Sequence, residues 1–299
     1  MELRKLIHKK TWAAVEGYLS MDSPSNLILS GISGLGKYDL GIYISSQILG
    51  CSTAKLLQNP DFYLVGQDRN INVEDITQLI EFSQRTSVKN KKVLLINHAH
   101  TITVSSQNKL LKILEDRPNN ILIFLEDTNT LIPTVKSRCN RILLHPLNEK
   151  EMAVFLKEQG IPDTHIGLIA YLLDNAPYLF LREKELISTY ESKFEDISKI
   201  KVRADLLKVM NTMKEKDRKN FYEINSDRTA WNIKLILYPF YNYFLKKTKG
   251  ISSDEGFPSN LYTLEEAYKI LSMGQCHLSK TNYTKNDYFD LLRYIVQAE

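Results

Sequence analysis

The stretch Gly31-Ile-Ser-Gly-Leu-Gly-Lys-Tyr38 decides the fold, because it joins an apolar run at residues 27–29 to an apolar segment at residues 40–49. A strand, a glycine-rich turn and a helix in this order are the setting of a phosphate-binding loop. Glycines let backbone N–H groups turn towards one point, where the dipole of the next helix also favours an anion. The residues predicted to bind phosphate are Gly31, Gly34, Gly36 and Lys37.

Three positions depart from what a nucleotide-hydrolysing site needs. Tyr38 stands where a Ser or Thr hydroxyl would bind Mg²⁺, and a phenol on a rigid arm does not fit a tight octahedral shell. After the apolar run at residues 93–96 come Asn97 and His98, where a hydrolase has an Asp for Mg²⁺ and a Glu for the attacking water. These residues predict a degenerate phosphate loop that does not hydrolyse nucleotide.

A zinc site at His98 and His100 is an alternative interpretation of the same segment. Zinc sites in proteins take three or four side-chain ligands, and the sequence offers no identifiable third ligand. It has no Cys-x-x-Cys pair, and its three cysteines lie far apart, which indicates a reducing compartment. We therefore expect no zinc and no other bound metal.

The alternation of apolar strands with helices up to residue 145 predicts a parallel α/β domain over residues 1–146. After Pro146 the composition changes to helices, with a Lys/Glu-rich segment at residues 191–201 as a boundary. We predict a small helical domain over residues 147–200 and a helical C-terminal domain over residues 201–299. No apolar run approaches the roughly 18 residues that span a membrane, and the first residues have no signal-peptide core.

Three further motifs resemble the clamp-loader branch of the AAA+ ATPases, in the form found with bacterial DNA polymerase III. Residues 108–118 match its N-x-L-L-K-x-L-E-x-P-P pattern, except that Arg117 replaces the first proline. Asn59-Pro-Asp61 and Ser137-Arg-Cys139 resemble two other stretches of the family, and the likeness covers about residues 20–185. It implies an AAA+ P-loop parallel-sheet domain, a small helical lid and a C-terminal helical collar domain that joins the subunits into a ring.

The resemblance assigns Arg138, with Ser137 and Cys139, as an arginine finger that acts in trans on ATP held by a neighbouring subunit. Phosphoryl transfer builds charge on the transferred group, which a guanidinium from a neighbour neutralises. The alternative is an arginine that only pairs with an acid at the end of a strand. The family's second-sensor arginine is missing as well, because Asn175-Ala-Pro-Tyr178 stands in its place.

The resemblance implies a stator subunit in the cytoplasm, at the replisome of the nucleoid. Its partners would be the ATPase (gamma/tau) subunits, the delta subunit, and through the complex the sliding clamp and primer-template DNA; alone it would be a monomer. No cofactor would be required, and binding of ATP or ADP without hydrolysis stays open.

Two other functions remain in view. In a divergent but active ATPase, Glu126 or Asp127 would supply the missing carboxylate. In a DNA-binding adaptor, lysines would contact phosphates, and the mild net charge of +4 permits this without demanding it. The lysines considered, which a solvated basic face explains equally well, are Lys89, Lys91, Lys92, Lys109 and Lys112.

Overall fold

A computed structural model describes residues 3–67, 70–88, 90–116, 119–127 and 129–189 of the chain. The predicted boundary segment at residues 191–201 and the predicted collar domain over residues 201–299 lie outside these residues. Among the described helices, none is long and apolar enough to cross a membrane.

The centre of the fold is a five-stranded sheet in which every neighbouring pair is parallel. Its strands are β1 (Leu27–Ser30), β2 (Phe62–Val65), β3 (Lys92–Ile96), β4 (Asn120–Glu126) and β5 (Asn140–Leu143). The order across the sheet is β2-β3-β4-β1-β5, so β1 lies between β4 and β5. The predicted parallel α/β fold is confirmed. The loop after β1 leaves a strand that has a neighbouring strand on each side.

Helices follow or precede the strands along the chain. They are α1 (Leu3–Leu6), α2 (Lys9–Leu19), α3 (Lys37–Leu49), α4 (Thr53–Leu56), α5 (Val73–Gln84), α6 (Val104–Asp116), α7 (Pro133–Lys136), α8 (Glu149–Glu158), α9 (Asp163–Leu172), α10 (Pro177–Arg182) and α11 (Lys184–Thr189), with a 3₁₀ turn at Ala99–Thr101. Reciprocal side-chain and backbone hydrogen bonds between Asn72 and Asp75 fix the start of α5.

Both faces of the sheet are covered, which explains the continuous apolar runs of its central strands. In β1, Leu27 and Leu29 pack into one hydrophobic cluster with residues of α2 and α3. Ile28, between them, packs into a second cluster with residues of α5 and α6. This alternation follows from the two-residue period of a strand. Helix α3 approaches the sheet closely at Gly41, where an added Cβ would lie 2.9 Å from Leu95 Cδ1.

Lys92 differs from its predicted place on a solvated basic face. It lies in β3 and is only 2% exposed. Its Nζ donates to the carbonyl oxygens of Phe82 and Arg85 and lies 5.1 Å from the Phe82 ring centroid. Lys92 therefore ties the end of α5 to the sheet and does not contribute to a surface.

The contacts between residues divide the chain into two compact units. Among the described residues, one unit contains those up to Phe155 together with Ala176–Arg182, and the other contains Leu156–Asn175 and residues 183–189. Helix α8 begins in the first unit and ends in the second. The phosphate loop, Arg138 and α10 all belong to the first unit.

Candidate functional site

The phosphate loop lies at the carboxyl end of β1 and has the backbone course that its glycines require. Gly34 and Gly36 have φ angles of +81° and +80°, which residues with side chains rarely adopt. Gly36 directly precedes α3, so the loop ends at the amino end of a 13-residue helix. The predicted order of strand, loop and helix is present.

Lys37 is turned back onto its own loop. Its Nζ donates to the carbonyl oxygens of Gly31 at 2.7 Å and Ile32 at 2.6 Å, and it lies 2.8 Å from Asp127 Oδ1. The side chain is 9% exposed, and burial lowers its pKa although the charge of Asp127 acts in the opposite direction. Each of the three ammonium protons thus has an acceptor within the chain.

Tyr38 occupies the predicted position in the first turn of α3. It is half-buried and packs against the same hydrophobic cluster as β1 and α3. Its place in this packing makes the Tyr38 side chain part of the lining of the hydrophobic core.

Asn97 and His98 lie in the turn directly after β3, at the edge of the sheet that carries the phosphate loop. The Asn97 amide nitrogen donates to Gly66 O at 3.0 Å, and the Asn97 backbone N–H donates to Val65 O at 2.9 Å. His98 has a left-handed backbone conformation, with φ of +52°. Asn97 therefore links the ends of β2 and β3, which is a structural role.

His98 and His100 form an edge-to-face pair with ring centroids 5.7 Å apart. Because β3 ends at Ile96, the alternation of a strand does not apply to this pair. Burial lowers the pKa of His100, although the charge of Asp127 acts against this shift. Within the described ranges, no three His, Cys, Asp or Glu side chains are grouped so that they could hold a metal ion.

The two carboxylates at the end of β4 have different surroundings. Asp127 pairs with Lys37, whereas Glu126 is fully buried with its Oε1 3.9 Å from Arg141 Nη2. Burial raises the pKa of Glu126, and the charges of Lys136 and Arg141 act in the opposite direction. One carboxylate therefore pairs with Lys37, and the other is enclosed in the fold.

The first turn of α10 lies directly on the glycines of the phosphate loop. Tyr178 N donates to Gly34 O at 3.1 Å. A Cβ added at Gly34 would lie 2.2 Å from Leu179 Cγ, and one added at Gly36 would lie 2.3 Å from Tyr178 Cε2. The phenol of Tyr178 hydrogen-bonds the Asp39 carboxylate, and its pKa is raised, mainly by burial. Two large side chains therefore cover the part of the loop that lacks side chains of its own.

Arg138 lies between α7 and β5 and is exposed. Its Nη1 donates to Thr134 O at 2.9 Å and to Ser137 Oγ at 3.3 Å, and its Nη2 forms an ion pair with Glu115 Oε1. Its side chain is 36% exposed and that of Glu115 is 47% exposed. The guanidinium is thus held at the surface, where a molecule that approaches from outside can reach it.

Ser137 and Cys139 flank the arginine and have local roles. The Ser137 hydroxyl donates to Thr134 O at 3.0 Å. Cys139 is half-buried and packs against the second hydrophobic cluster, and burial raises the pKa of its thiol to about 12. The thiol therefore stays protonated at neutral pH, which is unlike a reactive cysteine.

Arg138 lies at the edge of the sheet formed by the amino ends of its strands, whereas the phosphate loop lies at the opposite edge, formed by their carboxyl ends. Asn140, two residues after Arg138, pairs with Leu27 at the start of β1, whereas the loop follows Ser30 at its end. A four-residue strand spans about 10 Å between its first and last residues. The arginine therefore lies at the edge away from the chain's own phosphate loop.

The sequence alone does not single out several residues of this site. In the sequence, Glu115 is only one residue of a motif. Tyr178 only occupies the place of a missing arginine. Asp127, a candidate metal ligand by its position, is the partner of Lys37. Leu179 carries no sequence signal of its own. Only the folded chain brings these residues to their partners.

Comparison with known proteins finds sequence relatives of this chain. A family model described as "DNA polymerase III, delta subunit" matches residues 28–148. The delta-prime subunit of Bacillus subtilis DNA polymerase III is 28% identical over 166 residues, which are 50% of this chain and 50% of that protein. The delta-prime subunit of Buchnera aphidicola is 27% identical over 263 residues, covering 75% and 79% of the two chains. The match thus spans half the length of the Bacillus protein.

Among solved structures, a variant of Thermotoga maritima RuvB superposes with a TM-score of 0.50 and 18% identity over 97% of each chain, a likeness that concerns the fold alone. The parallel sheet with its loop and helices has the same fold as that structure. The sequence relatives named above belong to one class of protein, the subunits of DNA polymerase III. Within that class, the chain is similar to the delta-prime subunit of DNA polymerase III.

Proposed function

We propose that this chain is a clamp-loader subunit that does not hydrolyse ATP itself and presents Arg138 to ATP bound by a neighbouring subunit. It would act as a stator while the ring opens the sliding clamp and places it on primed DNA. Its neighbours would be an ATPase (gamma/tau) subunit and the delta subunit, in the cytoplasm at the replisome.

The observation that carries the proposal is the position of Arg138 at the edge of the sheet away from the chain's own phosphate loop. A guanidinium at that edge does not serve the loop after β1. Its exposure makes it accessible to the phosphates of another subunit, where a planar, always charged group neutralises developing charge.

A second line of support is the state of the chain's own nucleotide site. Lys37 is engaged by two carbonyl oxygens and by Asp127. Asn97 ties two strands together, and Glu126 is enclosed. Hydrolysis needs a positioned metal and a group that orients the attacking water, and these contacts supply neither.

The test compares DNA- and clamp-stimulated ATP hydrolysis by clamp loader assembled with the unaltered chain and with its Arg138→Ala variant. We expect a large fall with assembly intact, because an arginine finger contributes about 10³–10⁵ in rate at the site it serves. Arg138→Lys should also lose most activity, since an ammonium lacks the forked geometry of a guanidinium.

The matched control is Arg4→Ala. Arg4 is also an exposed arginine paired with an acid, because its Nη2 lies 3.9 Å from Glu16 Oε1. It belongs to α1, and its loss should leave hydrolysis unchanged. Unchanged hydrolysis in Arg138→Ala would contradict the proposal. Mg²⁺-dependent turnover by the chain alone would favour the divergent ATPase, and tight DNA binding by the chain alone would favour the adaptor.

A further inference from the structure

The space above the phosphate loop is filled by side chains of the same chain. Glycines in such loops are useful because the bare backbone lets a phosphate approach closely. In this chain Leu179 and Tyr178 occupy the space through which a phosphate would approach. An added Cβ at Gly34 or Gly36 would overlap them at 2.2 and 2.3 Å. Both side chains are therefore already in van der Waals contact with the backbone of the loop.

These two residues are anchored on both sides. Ala176 is fully buried in the cluster that contains the loop residue Leu35. On the other side, Phe180 is fully buried and packs edge to face on Phe155, with ring centroids 5.6 Å apart. The hydrogen bond from Tyr178 N to Gly34 O adds a direct link to the loop. The cover is thus packed into the core of its unit.

The charge that a phosphate would meet is also neutralised from within. The ammonium of Lys37 lies 2.8 Å from Asp127 Oδ1 and donates to two loop carbonyls. A phosphate would have to displace Asp127, and the carboxylate would then repel it at close range. The Asp127 carboxylate therefore occupies the place beside Lys37 that the negatively charged phosphates of a nucleotide would take.

These residues do not fit a nucleoside triphosphate, and the misfit suggests a role. We propose that Tyr178, Leu179 and Asp127 are the specificity determinants that exclude nucleoside di- and triphosphates from this phosphate loop. Tyr178 and Leu179 remove the room for the phosphates, and Asp127 removes the free positive charge. The proposal deepens the proposed function and rests on only one part of it, that this chain does not hydrolyse ATP.

The test is equilibrium binding of a fluorescent N-methylanthraniloyl derivative of ATP to the full chain, with Mg²⁺ present. The unaltered chain should show no saturable binding up to about 1 mM, the weak end of specific affinities. The triple variant Tyr178→Gly, Leu179→Ala, Asp127→Asn should bind saturably, at least about tenfold more tightly than that limit. Lys37→Ala added to the triple variant should abolish the gain, because it removes the phosphate-binding charge.

Two further variants guard against a trivial result. Leu181→Ala alters an exposed leucine of the same helix, 39% exposed, and should bring no gain in binding. Asp127→Asn alone removes no packing and should give a smaller but measurable gain even if the triple variant is less stable. Thermal unfolding checks that each variant is folded.

Saturable binding by the unaltered chain below about 1 mM would overturn the proposal. So would absence of binding by a folded triple variant and by Asp127→Asn. Neither result touches the role of Arg138, which is measured on ATP held by a neighbour. Conversely, an Arg138→Ala variant without effect would leave the exclusion of nucleotide from this loop standing.

Discussion

Arg138 is held by contacts at the surface, so its removal should cost little stability. The side chains of Arg138 and Glu115 are both more than a third exposed. Exposed ion pairs stabilise proteins by about 0–1 kcal/mol, and we expect Arg138→Ala to lose no more than about 1 kcal/mol in urea unfolding. Glu115→Gln should lose a similar amount. A loss of several kcal/mol would instead indicate a structural arginine, and the hydrolysis assay would need a gentler variant.

Glu126 should make stability depend on pH. Burial raises its pKa above the usual 4.5, so the folded state binds the proton more strongly than the unfolded state. Stability then falls as pH rises above about 4.5, because the carboxyl must ionise in its enclosed site. Glu126→Gln should therefore be more stable than the unaltered chain at pH 8, with the difference shrinking towards pH 4.

Urea unfolding at both pH values measures this effect. If Glu126→Gln is the less stable protein at pH 8, the attraction of Arg141 and Lys136 outweighs burial, and the pKa of Glu126 is lowered instead of raised. The same series with Asp127→Asn separates the enclosed carboxyl from the one that is partly exposed beside Lys37.

At the residue scale, the sequence predicts the positions of those site residues that belong to a local pattern. The glycines, Lys37, Tyr38 and Asn97 all follow from strand, loop and helix order. The pairing of Lys37 with Asp127 could not be predicted, because the two residues follow different strands that only the sheet makes neighbours. The charge of Lys92 favours a place on the surface, whereas its ammonium is bound by carbonyl oxygens in the core.

Helix α3 packs against the sheet through a glycine, which gives a test at the scale of one element. A Cβ at Gly41 would lie 2.9 Å from Leu95 Cδ1 and 3.2 Å from Leu125 Cδ2. We expect Gly41→Ala to destabilise the protein by about 1–3 kcal/mol, the usual cost of overpacking. The matched control is Gly17→Ala in α2, where nothing lies within 4 Å of the added Cβ.

Gly17→Ala should raise stability by about 0.5–1 kcal/mol, because alanine is the better helix former. Denaturant unfolding of the two variants side by side gives the difference. Equal effects of the two substitutions would mean that α3 leaves room for a methyl group between its backbone and the sheet.

Restoring a small hydroxyl at the start of α3 should not create an enzyme. Tyr38→Thr returns one metal-binding group, but Asn97 and His98 still lack the paired carboxylates, and Asp127 still holds Lys37. We expect no Mg²⁺-dependent ATP turnover by this variant above that of the unaltered chain. Turnover in this single variant would show that the site needs only one residue to work.

The longer elements can be predicted within a few residues, since apolar periodicity over ten or more residues is a clear signal. In the part of the chain that the structure describes, several short helices escape prediction from the sequence, among them α4, α10 and α11. They have four to six residues, too few to show a 3.6-residue period or to be stable alone. Because α10 carries Tyr178 and Leu179, the decisive cover of the phosphate loop escapes prediction as well.

For the whole molecule, we expect a monomer when the chain is alone. The sequence resemblance to the clamp-loader family implies a ring of unlike subunits, and a net charge of +4 does not favour self-association. Light scattering coupled to size-exclusion chromatography measures the mass directly, and 34.6 kDa is expected. A stable homo-oligomer would favour the divergent ATPase or the adaptor over a stator.

Because Arg138 and the phosphate loop lie at opposite edges of the sheet, the two edges by which the molecule could join its neighbours differ. Subunits that offer an arginine at one edge and accept one at the other join head to tail and can continue without limit unless the ring closes. A subunit that offers an arginine but whose own phosphate loop is covered can contribute to a neighbour's ATP site. It holds no ATP on which a neighbour's arginine could act. If both proposals hold, this chain belongs at the end of a row, where it stops growth and leaves the assembly open on one side.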